Sequence, residues 1–80
     1  MVKLKNIKKI SDNMIECNLL PEGSEEMGHM LVDISKREVV NYDLPKGFEW
    51  CTNHVAHAMR ALLDMVENNY IVQEKTIAWC

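Results

Sequence analysis

Chain-breaking residues are scarce in these 80 residues, with three glycines and two prolines. Gly23, Gly28 and Gly47 form neither a GxGxxG nor a GxxxxGK loop, so no nucleotide-cradling turn is present. No proline- or glycine-rich stretch divides the chain, and its length suits one domain over residues 1–80. No apolar run approaches the roughly 18 residues of a membrane-crossing helix. Nor does an apolar stretch of signal-peptide length follow Met1-Val2-Lys3-Leu4-Lys5. The three cysteines, Cys17, Cys51 and Cys80, include no Cys-x-x-Cys pair. Their odd number and wide spacing exclude a complete disulfide framework and imply free thiols in a reducing compartment, the cytoplasm.

Apolar residues are plentiful, at 48%, and charged residues at 26% are ordinary for a folded domain. Surface scaling gives about 5,000 Å² for the folded chain, which leaves room for one modest core. The charges are unevenly spread beneath a net −3. Residues 1–10 carry Lys3, Lys5, Lys8 and Lys9 and no acid, whereas residues 11–35 carry six acids and no base. Four lysines without arginine or interleaved aromatics make a poor nucleic-acid footprint. Weak nucleic-acid contact through this first strand is therefore a minor reading. Lysines that keep an edge strand from pairing with other chains explain the run more simply.

The hydrophobic period is two in the first half of the chain. Val2 and Leu4 alternate with lysines, and then either Ile10 continues that face or a bulge near Asn6 turns Ile7 inward. Ser11-Asp12-Asn13 is a turn, and Ile15, Cys17 and Leu19 alternate with Met14, Glu16 and Asn18. Residues 21–28, PEGSEEMG, form a loop, long for a hairpin and thus mobile or partner-facing. His29–Ile34 sets Met30, Val32 and Ile34 on one side, and Glu38–Leu44 returns with Val40, Tyr42 and Leu44 aligned. Pro45-Lys46-Gly47 stops that run.

The period then becomes helical. Val55, Met59, Leu62, Leu63, Val66 and Tyr70 share one face, with Thr52 or Asn53 as N-cap and Asn68-Asn69 as the stop. Lys75–Trp79 reads as a last short strand, after an ambiguous stretch at 71–74. The expected fold is α+β: an antiparallel four- to five-stranded meander covered on one face by a single amphipathic helix, in the order β-β-β-β-α-β. The helix stripe would cover Val2, Leu4, Ile15, Cys17, Leu19, Met30, Val32, Ile34, Val40, Tyr42 and Leu44. Trp79, with Phe48 or Trp50, would close the ends.

Three clusters have the residue types of a chemical site. Cys51, His54 and His57 are spaced by three, but on a straight helix they fan across about 120° and climb about 9 Å. They cannot meet at one ion, so only His54 and His57 could pair on a divalent transition metal, with further ligands from His29 or Cys17. No cofactor is otherwise implied. Cys51 before a helix N-terminus, with His54 as base, is the alternative of a reactive thiol. No oxyanion hole or orienting third group accompanies it, and a small buried cysteine is the simpler account. Glu25, Glu26 and His29 lack a rigid element to align them.

The outward sheet face is more apolar than a solvated face needs. Met14, Leu31 and Val39 fall there, with Ile7 if no bulge turns it inward. Adjacent across strands, they would mark an interface with a second copy or another protein. The resulting expectation is a non-enzymatic interaction or self-association module, with no membrane role. The run from Gly28 to Met65 resembles short bacterial or prophage reading frames, which implies a bacterial cytoplasmic origin and no site residues.

Overall fold

The computed structural model describes residues 1–78. Its strands are β1 (Val2–Lys9), β2 (Met14–Pro21), β3 (Gly28–Asp33), β4 (Glu38–Asp43) and β5 (Lys75–Ile77), with the helix α1 (Thr52–Glu67) between β4 and β5. Antiparallel pairing gives one sheet in the order β4-β3-β2-β1-β5. This is the expected α+β arrangement. The accessible surface of 5026 Å² agrees with the size-based expectation.

The order of the strands explains the helix. β4 and β5 lie at opposite edges, so the chain between them must cross the whole sheet. Sixteen helical residues rise about 24 Å, and five strands span about 19 Å from first to last. One helix is therefore long enough to make the crossing and cover the inner face. Val2, Leu4, Ile7, Ile15, Cys17, Leu19, Met30 and Val32 of the sheet are buried together with Val55, Ala58, Leu62, Leu63 and Met65 of α1. Ile34 and Leu44, expected inside, are only half-buried at the margin.

The helix is rotated from the expected orientation. Ala58 and Met65 are buried, whereas Met59, Val66 and Tyr70 are only partly so. The centre of the buried stripe moves by about 45° at 100° per residue. Ala58 offers almost no side chain, so the helix sits close to the sheet along that line. The cap of α1 also falls one or two residues earlier than the expected Thr52 or Asn53. Cys51 is the N-cap, without a side-chain capping bond, because two successive turns deliver the chain there. Phe48 N donates to Pro45 O, and Cys51 N donates to Phe48 O. The stop falls at Asn68, followed by Asn69 with φ 54°.

Two bulges decide which side chains face in. Between Lys5 and Lys8, β1 has one more residue than β2, and Asn6 takes the left-handed φ of 52°. The alternation inverts there, so Ile7 enters the core and Ile10, 46% exposed, is left outside. Asn6 is held by donating Nδ2–H to Asn18 Oδ1 at 2.9 Å. Asn6→Gly should keep the bulge, while Asn6→Val should cost about 1–3 kcal/mol, since a branched side chain is strained at this φ. Equal denaturant midpoints for the two variants would contradict this account.

The second bulge lies in β4. Leu31 pairs Asn41 and Val32 pairs Val39, leaving Val40 as the extra residue. Val39 therefore faces the core side, and Val40 is exposed, the reverse of the expectation for both. Tyr42 lies opposite Met30 on the inner side, yet it is 47% exposed because β4 is the outermost strand. Trp50 does not close the core end either; it is 77% exposed, with its indole N–H donating to Gly47 O. Phe48 is half-buried. The expected role of Trp79, and the last part of the final strand, lie outside the described residues.

Candidate functional site

The helix entrance does not assemble the Cys51, His54 and His57 cluster. Cys51 is buried at the N-cap of α1, and His54 and His57 are half-buried along the helix. Among the described residues, no group of three or more His, Cys, Asp or Glu side chains is placed to hold a metal ion. Burial lowers the His54 pKa, and the positive charges of the chain's amino terminus and of His57 add to the effect. Such an imidazole stays neutral at pH 7. The geometry also withholds Cys51 from solvent, which a nucleophilic thiol requires. Cys17, offered as a further ligand, is buried, and burial followed by the Glu16 charge pushes its thiol up to about 12.

His29 takes part elsewhere. Its side chain stands on the outer sheet face, with Nε2 3.2 Å from Glu16 Oε1, and its backbone N–H donates to Asp43 Oδ1 at 2.7 Å. Glu25 and Glu26 remain in the β2–β3 connection. That connection is more ordered than a free loop. Pro21 still pairs with Val2, Ser24 N donates to Pro21 O, and Ser24 Oγ bonds both the N–H and the carbonyl of Glu26.

The outer sheet face can be written out from the register. Lys3, Lys5 and Lys8 come from β1, Met14, Glu16, Asn18 and Leu20 from β2, His29, Leu31 and Asp33 from β3. The lysines are partly compensated: Lys5 Nζ lies 3.6 Å from Glu74 Oε1, and Lys8 is cross-strand from Glu16. β5 flanks β1 only over Val2–Leu4, so Lys3 does not guard a sheet edge as expected, whereas Lys8 and Lys9 lie on the part of β1 that β5 does not pair. Asn18 donates to Gly28 O at 3.0 Å. Asp33 is tied into the following turn, accepting from Lys36 N and Ser35 Oγ, and these bonds hold its carboxyl below the usual range.

The apolar residues of this face form a smaller group than expected. Val39 and Ile7 belong to the inner side, for the bulge reasons given above. Met14 and Leu31 remain, half-buried and diagonal to one another across β2 and β3. Ile10 joins them, since its backbone N–H donates to Met14 O at 2.9 Å. The sequence signal for Ile10 is the bulge at Asn6, four residues before it.

No family model matches the chain, and no curated protein or solved structure matches it either. Residue placement therefore has to carry any functional reading.

Proposed function

We propose that the chain is a non-enzymatic interaction module that uses its open sheet face, for a partner protein or a second copy. The observation that supports this is the Ile10, Met14 and Leu31 group on a face that α1 leaves uncovered. Around it run charged and amide side chains of both kinds, a polar rim about an apolar centre. Met14 adapts its shape to a partner more readily than a branched residue does. A metal or thiol site at Cys51, His54 and His57 gains no support from the burial of Cys51.

The decisive substitution is Leu31→Glu, which places a charge on the β3 side of the group, diagonal to Met14, without touching the core. Light scattering of the purified chain, alone and with captured partner, should give a complex for the unaltered chain. Leu31→Glu should weaken that complex by about tenfold or more, roughly 1.4 kcal/mol. Its unfolding midpoint should fall only modestly, by the repulsion between the new carboxylate and Glu16 directly across from it. A chain that remains monomeric at high concentration and retains no partner would end this reading.

A further inference from the structure

A second uncovered feature is the free edge of β4, and we infer that it accepts a basic extended segment as a sixth strand of the sheet. This goes beyond the open-face reading and uses different residues. Among the described residues, no segment pairs with the outer edge of β4, which stands first in the strand order. Five of its six residues are exposed, including Val40 and Tyr42. An extended segment laid there gains backbone hydrogen bonds along the edge and apolar contact with those two side chains.

Charge selects the occupant. Glu38 and Asp43 stand at the two ends of the strand, and both are exposed. Beyond its end, a cleft of about 250 Å³ is lined by Ser24, Glu25, Glu26, Lys46 and Phe48. Two carboxylates beside an aromatic ring suit the stem and cationic head of a lysine or arginine side chain. Lys46 in the cleft and Lys36 before β4 reduce the acidity without reversing it, and Arg37, next to Glu38, is already paired with Glu67. A second copy is the symmetric alternative, and its charges oppose it. Antiparallel pairing of residues 38–43 with themselves sets Glu38 against Asp43 twice, and like charges directly opposite are destabilising. A partner strand with lysine or arginine at those positions turns both repulsions into attractions.

The bulge at Val40 and the acidic ends also explain why such an edge need not aggregate. Bulges and charges are means by which edge strands resist indiscriminate pairing. They leave pairing to strands of the right charge.

The test uses the full chain and a capped peptide alternating lysine with valine, followed by backbone amide shifts and by fluorescence anisotropy. The lysine peptide should bind at low salt, with shifts gathered at residues 38–43 and around Glu25, Glu26 and Phe48. Its glutamate counterpart should not bind. Glu38→Lys, and Glu25→Lys with Glu26→Lys, should each weaken binding by about tenfold, while Leu31→Glu should leave it unchanged. Two further peptides carry methyl groups on alternate backbone nitrogens, one set in each register. The set that blocks the edge-facing N–H groups should lose binding although its charge is intact. Equal binding by both methylated peptides would overturn strand addition in favour of charge alone. No binding of the parent peptide, or concentration-dependent shifts at 38–43 in the chain by itself, would overturn the inference as well.

Discussion

Gly28→Ala should remove a large share of the stability of this protein. A Cβ built at Gly28 lies 2.2 Å from the carbonyl oxygen of Asp43, and 3.1 Å from both Asp43 C and Leu44 Cα. These are backbone atoms, so no side-chain rotation relieves the overlap. The only escape is to part the start of β3 from the end of β4. That movement strains the bond from His29 N to Asp43 Oδ1 and the one from Asn18 to Gly28 O. Overpacking alone costs about 1–3 kcal/mol, and the lost bonds bring the expected total to about 3 kcal/mol or more. A domain of this size has roughly 4–12 kcal/mol to lose, so the thermal midpoint should fall by about 12–24 °C.

Gly23 provides the control. Its φ is +86°, but a Cβ there meets no atom within 4 Å. Gly23→Ala should therefore cost only the conformational strain, about 1 kcal/mol. Chemical denaturation of the two variants separates a clash from a φ effect. If Gly28→Ala unfolds at the same midpoint as Gly23→Ala or later, the close approach of β3 and β4 described above is wrong.

Alkaline pH should unmask Cys17. Its thiol is buried opposite Met30 in the middle of the sheet, and its pKa is pushed up to about 12 from an ordinary 9.0. Below pH 9 the thiol is protonated in both folded and unfolded chains, so it contributes no pH dependence. Above pH 9 the unfolded chain releases the proton and the folded chain keeps it. Fewer protons are then bound in the unfolded state, and stability falls with rising pH until the folded thiol also ionises near 12. At 1.36 kcal/mol for each unit, the loss across that window is on the order of 4 kcal/mol. Lysine and tyrosine groups titrate in the same range, so the comparison is with Cys17→Val, which keeps an apolar side chain and has no thiol. The difference in unfolding free energy between parent and variant should shrink or reverse from pH 9 towards pH 12. A constant difference would mean that Cys17 ionises in the folded chain as readily as in the unfolded one. In the folded chain at neutral pH, alkylation mapped by peptide should miss Cys17 and Cys51, both buried.

The Cys17 prediction depends on the centre of the sheet, and that centre was the most readable part of the sequence. Ile15, Cys17 and Leu19 alternate without interruption, and so do Met30 and Val32. A strand flanked on both sides has little freedom to change phase, because a slip would turn every buried side chain to water. The bulged strands, β1 and β4, were less readable. In β1 the pattern after Leu4 admits two phases, and Asn6 alone gives the clue to the bulge. In β4 Val39 and Val40 are chemically interchangeable, so no local property says which is the extra residue. Two of the four interface candidates lay on those two strands, which is why Val39 and Ile7 changed sides while Met14 and Leu31 did not. At the helix entrance, the Cys51, His54 and His57 spacing was visible, and so was the burial of Cys51, since a small cysteine beside the core-facing stripe is more often buried than reactive.

Residue type and order by themselves determined that four alternating runs precede one amphipathic helix and that a short strand follows it. They also determined that the first ten residues are basic and that the next twenty-five are acidic. These are local properties, set by periods of two and 3.6 and by the turn residues between runs. Only the tertiary structure decided that β4 and β5 take opposite edges, which makes the helix cross the sheet and leaves one edge of β4 open. It also decided that two bulges invert the alternation, placing Ile10 rather than Val39 beside Met14. Parity along a strand is a sum over every residue before it, so one inserted residue redirects all that follow. The scarcity of glycine acquires a specific meaning from the same source. Gly28 is required at its position by a backbone that is distant in sequence, fifteen residues ahead at Asp43.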